Sequence, residues 1–224
     1  MTDTAKLLHI LQICDSLFPV GAFTLSNGLE TYVQRDIITS PQGLEEYLHS
    51  YISVLPFNEL GAAAAAYSAE EKELCRLDEI YSAAKAPFEI RSGSEKVTRR
   101  FFKICEKDEN SFTGLYKKLT GEGVCKGHQC IAYGLYMRDN GIELSEGLAV
   151  YGYSICSAIV TNCVKLVPLS QLAGQKILGE SFELISSAAE KALDTSLDDI
   201  GISGAGFDLR AMQHERLYSR QYMS

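Results

Sequence analysis

The chain has 224 residues, 46% hydrophobic and 22% charged, an ordinary globular composition that excludes wholesale disorder. A formal net charge of −8 argues against non-specific nucleic-acid binding, which needs basic surface to displace counterions from phosphates. No apolar run is expected to reach the ~18–20 residues of a bilayer span, and the opening Met1–Lys6 has no signal-peptide pattern, so neither a membrane nor secretion is expected. The seven cysteines then read as reduced, mostly buried small hydrophobes of a cytoplasmic protein.

In chain order, an N-terminal helix is followed by an apolar loop, Leu17-Phe18-Pro19-Val20-Gly21-Ala22-Phe23. Pro19 fixes its own φ and restricts Phe18, while Gly21 permits a turn that a side chain would oppose, so the loop should be a rigid platform. Gly28 should permit close approach by another backbone, with the Glu30 carboxylate beside that contact. Leu44, Tyr47, Leu48, Tyr51, Ile52 and Leu55 follow the i, i+3, i+4, i+7 spacing of an amphipathic helix, with Ser40 as N-cap, Pro41 at N1 and Pro56 closing it. His49 falls on its polar side and reads as solvated. The five alanines 62–66 are strong helix formers whose small side chains let a neighbour come close.

Helical stripes return at Leu74–Ala84 and at Val97, Phe101, Ile104 and Cys105. Lys96, Arg99, Arg100 and Lys103 share one face of that helix, either a solvated face or a patch for an acidic partner or phosphate. Leu144 to Leu166 holds the period for about six turns, ending at Pro168. Ile177, Leu178, Ile185, Ala188, Ala192 and Leu193 form one more stripe. No stretch sustains period-2 alternation, so the expected fold is all-α, a single helical-bundle-like domain of eight to ten helices over residues 1–207. Residues 208–224 are expected to be a docking tail, dispensable for folding. The tail interleaves Leu209, Met212, Leu217, Tyr218 and Tyr222 with three arginines, and aromatic, Met and Arg residues are enriched at interfaces. Its alternative is a last helix packed on its own core.

Catalysis has no positive signal: there is no phosphate-binding glycine loop, and no nucleophile–base pair is implied by spacing, so no enzyme activity and no cofactor are expected. Cys125, His128 and Cys130 bring two thiols and an imidazole within six residues, a ligand set for zinc or nickel. A closed site wants four ligands, however, and the competing reading is a glycine-hinged entry into a helix near His128, with the cysteines packed. No metal site is therefore assigned.

Four segments in register resemble one family. Leu17–Phe23 with Ser26-Asn27-Gly28-Leu29-Glu30, Gly127-His128 with Tyr133-Gly134, Lys165-Leu166-Val167-Pro168-Leu169-Ser170-Gln171, and Met212-x-His214-Glu215-x-Leu217-Tyr218-Ser219-Arg220 are similar to motifs of the urease accessory protein UreF family. Ala22 stands for the usual second glycine, and Lys165 for the commoner arginine. The resemblance implies a non-enzymatic, all-α, commonly dimeric protein that binds the accessory protein UreD (also called UreH) and recruits the nickel-carrying GTPase UreG. The assembly would then deliver nickel to apo-urease. Pro19, Gly21, Phe23, Gly28, Glu30, Lys165, His214, Glu215, Tyr218 and Arg220 are the partner-binding residues this resemblance implies. Two other readings remain: a GTPase activator using Arg210, Arg216 or Arg220 as a finger, and a nickel carrier using Cys125, His128 and Cys130.

Overall fold

A computed structural model describes residues 2–105, 108–202 and 204–223; Met1 and Ser224, the ends of the two expected units, lie outside the described residues. The described residues form twelve α-helices and no strand. They are α1 (Asp3–Cys14), α2 (Leu29–Gln34), α3 (Pro41–Val54), α4 (Glu59–Ser68), α5 (Glu71–Ala84), α6 (Phe88–Ile104), α7 (Phe112–Gly121), α8 (Gln129–Asp139), α9 (Leu144–Leu166), α10 (Gln171–Glu180), α11 (Phe182–Leu193) and α12 (Ala205–His214). The class matches expectation, and the helix number exceeds it.

Local chemistry explains most of the boundaries. Ser40 Oγ accepts from the Gly43 amide at 3.2 Å, with Pro41 at N1, so α3 starts where its cap and missing N–H dictate. Ser111 and Ser170 cap α7 and α10 in the same way. The stripe expected to run from Ile177 to Leu193 is broken at Ser181, which is fully buried. Its Oγ donates to the Ile177 carbonyl at 2.8 Å, a back-bond that bends helices, and the chain restarts as α11. The further helices are short: α2 has six residues, α7 and α12 ten each, too few turns for a period to stand out in the sequence.

α8 packs most extensively on the alanine helix α4. A Cβ on Gly134 of α8 would sit 2.1 Å from the Ala63 carbonyl oxygen, so only glycine allows this approach. Every residue of α8 from Cys130 to Met137 is buried, hence its lack of a polar face. α9 is long and apolar enough to cross a bilayer by length and composition, contrary to the reading that no run is. Here it is a core helix, half buried, packed against α1, α2, α3, α4, α10 and α11.

The boundary expected at 207/208 falls inside α12. α12 packs on α2 and α6, and its Ala211 and His214 are fully buried. The C-terminal residues are thus tied to the same core as the rest of the chain.

Candidate functional site

The loop between α1 and α2 is folded back on itself, with Gly21 at φ +81° and Gly28 at φ +85°, both left-handed. Phe18 and Val20 point inward, while Leu17 and Phe23 are 87% and 52% exposed. Two distant helices hold the loop's backbone. Arg100 of α6 donates to the Val20 carbonyl at 3.1 Å, and Asn162 of α9 donates to the Phe23 and Leu25 carbonyls at 3.3 and 3.4 Å. Arg100 therefore leaves the basic run to brace the loop, and Arg99 pairs with Glu95 on its own helix.

Beside the loop lies a groove of about 690 Å³, lined among others by Leu11, Leu17, Phe23, Tyr153, Asn162 and Lys165. Phe23 and Lys165, singled out from separate sequence motifs, thus meet on one surface. Pro19 is exposed at the tip of the same loop.

Gly28, Glu30, His214 and Arg220 gather at a second place. The Glu30 carboxylate, expected beside the Gly28 contact, is fully buried. It accepts from the amides of Gln221 at 2.8 Å and Tyr222 at 3.1 Å and from Gln34 Nε2 at 3.3 Å, and it meets His214 Nε2 at 2.9 Å. The other His214 nitrogen, Nδ1, lies 2.6 Å from Glu89, whose second oxygen accepts from Arg220 at 2.8 Å. The His214 ring thus bridges the Glu30 and Glu89 carboxylates through its two nitrogens. Gly28 permits the expected backbone approach, and the backbone is the chain's own: a Cβ there would lie 3.0 Å from the Ala211 amide nitrogen. Met223 N–H closes the tail onto the Thr24 carbonyl at 2.8 Å. Glu215 and Tyr218 face solvent, Tyr218 completely.

The roles of Glu89, Arg100 and Asn162 escape sequence reasoning, which sees Arg100 only as part of a basic face. Each is a polar residue on an ordinary helix, and a partner 80 to 139 residues away gives it its role.

Cys125, His128 and Cys130 do not converge as ligands. All three are buried, and no group of three or more His, Cys, Asp or Glu is disposed to hold a metal ion among the described residues. The segment is pinned by Asp78 of α5, which accepts from the Lys126 amide at 2.7 Å, the Gly127 amide at 3.0 Å and the Tyr116 hydroxyl at 2.6 Å. His128 pairs through Nε2 with Ser82 Oγ at 2.7 Å. Burial outweighs the nearby Asp78 charge and lowers its pKa to about 4, so the ring is neutral. Burial also pushes the Cys130 thiol up to about 12, which keeps it from acting as a thiolate ligand. His49 is likewise not solvated as expected: its Nε2 is buried without a hydrogen-bond partner. Among the tail arginines, Arg210 donates to Gln213 and Arg220 to Glu89, so these two are engaged within the chain.

The described residues thus define an all-α protein that braces an apolar loop from two helices and ties its C-terminal segment back onto α2 and α6. The sequence profile of the UreF family matches residues 38–181. The protein named Urease accessory protein UreF from Actinobacillus pleuropneumoniae serotype 5b is 34% identical over 230 aligned residues that cover both chains completely. The protein of that name from Haemophilus influenzae strain PittGG is also 34% identical, covering all of this chain and 97% of its own, and that from Streptococcus thermophilus is 29% identical over 97% and 94% of the two chains. The chain belongs to the UreF family of urease accessory proteins.

Proposed function

We propose that this chain acts in urease maturation as a cytoplasmic, homodimeric scaffold that performs no chemistry of its own. It binds UreD/UreH and recruits the GTPase UreG, so that nickel, the cargo, reaches apo-urease. The observation that carries this reading is the groove in which Phe23 and Lys165 meet. An exposed aromatic is held there on a loop whose carbonyls are braced by Arg100 and Asn162, so little ordering entropy is lost when a partner docks. In this reading Pro19, Phe23, Lys165, Glu215 and Tyr218 touch partners, while Gly21, Gly28, Glu30, His214 and Arg220 hold the surface in shape.

Co-expression with UreD/UreH and UreG, followed by affinity capture, tests it. The chain should retain both proteins, and the Phe23→Ala/Lys165→Glu double variant should lose most of them while melting like the parent. Retention undiminished by the double variant, or no retention by the parent, would overturn the assignment. GTP turnover by UreG should not change on adding the chain; a large acceleration would mark a GTPase activator instead.

A further inference from the structure

Cys75, in the second turn of α5, and Cys125, between α7 and α8, bring their sulfurs to 3.9 Å across 50 residues of sequence. Cys75 is half-buried and Cys125 buried. Their proximity is held by Asp78, one turn beyond Cys75, whose carboxylate takes the amides of Lys126 and Gly127, the two residues after Cys125. The Val124 and Cys125 amides both donate to the Leu119 carbonyl, which anchors the segment from the other side. The two thiols therefore sit on segments already fixed to one another, 3.9 Å apart where a disulfide bond is about 2.05 Å long.

We propose that Cys75 and Cys125 form an oxidation-sensitive pair that closes to a disulfide when the chain meets a small disulfide such as oxidised glutathione. Cys75 is the entry point because it alone reaches solvent. Its thiolate attacks one glutathione sulfur, the glutathione S–S bond breaks, and one glutathione leaves. Cys125 then attacks the Cys75 sulfur and displaces the second glutathione. Two protein thiols are oxidised, one glutathione disulfide is reduced, and the two thiol protons end on the two released glutathiones. Burial, together with the Asp78 charge, holds the Cys125 thiol well above the usual thiol range, which makes it the slower, resolving partner. Closure would staple α5 to the segment that opens α8, restricting the unfolded chain across a loop of about 50 residues.

Incubating the intact chain with oxidised glutathione, then alkylating it under denaturing conditions, reads the pair directly. The parent should lose two alkylatable thiols, yield a cross-linked peptide containing Cys75 and Cys125, recover both thiols with dithiothreitol, and melt higher when oxidised. Cys75→Ser, a half-buried and nearly isosteric change, should fold normally and lose none. Cys125→Ser should stop at a single glutathione adduct on Cys75. Undiminished thiols, a cross-link between other cysteines, or a persistent Cys75 adduct in the parent would each overturn the proposal.

Discussion

Glu30 and His214 lie 184 residues apart, are both fully buried, and meet at 2.9 Å, joining the start of α2 to the end of α12. The pair extends through Glu89 to Arg220, so four side chains link three helices and the tail. Buried carboxylates are tolerated only where their donors are complete, and Glu30 has four.

Breaking this link from either side should cost stability. His214→Ala leaves the buried Glu30 carboxylate and the half-buried Glu89 without the ring they share and should destabilise the fold by about 3–5 kcal/mol. Glu30→Gln keeps the shape but replaces charge-assisted bonds and should cost less, about 1–3 kcal/mol. Glu45→Gln, on the partly exposed side of α3, should stay within about 0.5 kcal/mol. Urea melts rank the three, and equal midpoints would mean that the buried link contributes nothing.

Removing residues 208–224 is the harsher test of the same contact. The tail was expected to be dispensable for folding, yet its deletion removes the His214, Gln221 and Tyr222 donors from Glu30. It also uncovers the Phe207 ring cluster with Tyr32, Tyr47 and Tyr51. The truncated chain should melt at least 5–10 °C lower by circular dichroism, at roughly 2–4 °C per kcal/mol for a chain of this size. An unchanged melting temperature would restore the tail as an independent appendage.

The α4–α8 contact makes a separate prediction. Gly134→Ala adds one methyl where the Ala63 carbonyl already lies 2.1 Å from the added carbon, so the helices must separate. Helix propensity alone would favour alanine by about 1 kcal/mol. Overpacking should outweigh that gain, for a net loss of about 1–3 kcal/mol in denaturant titrations. Gly179→Ala, at an exposed position of α10 where a Cβ meets nothing, should instead be neutral or stabilising.

His128 predicts a pH dependence. Its folded-state pKa is lowered from 6.5 to about 4, so between those values the unfolded chain binds the extra proton. The contribution is fully present above pH 6.5 and is lost as pH falls toward 4, amounting to a few kcal/mol at most. His128→Gln should flatten the fall in unfolding free energy between pH 6.5 and 4 relative to the parent. Parallel curves would mean that other groups set the acid limit.

Local signals carried much of this molecule. Ser40-Pro41 marks the start of α3 because a cap and a missing N–H act within one turn. The stripe from Leu144 to Leu166 gives α9 because burial repeats every 3.6 residues, and the left-handed Gly21 and Gly28 were legible because so few other residues adopt that conformation. α8 carried no stripe because it is buried on every side, and the break at Ser181 depends on one hydroxyl turning back to Ile177. The motifs flagged Glu30 and His214, Phe23 and Lys165, but not which would meet. Pairings across 140 to 190 residues follow from helix packing, which no neighbouring residue records. Burial settled the rest: it drew Glu30 and His214 into the interior and left Phe23 and Lys165 at the surface, where a partner can reach them.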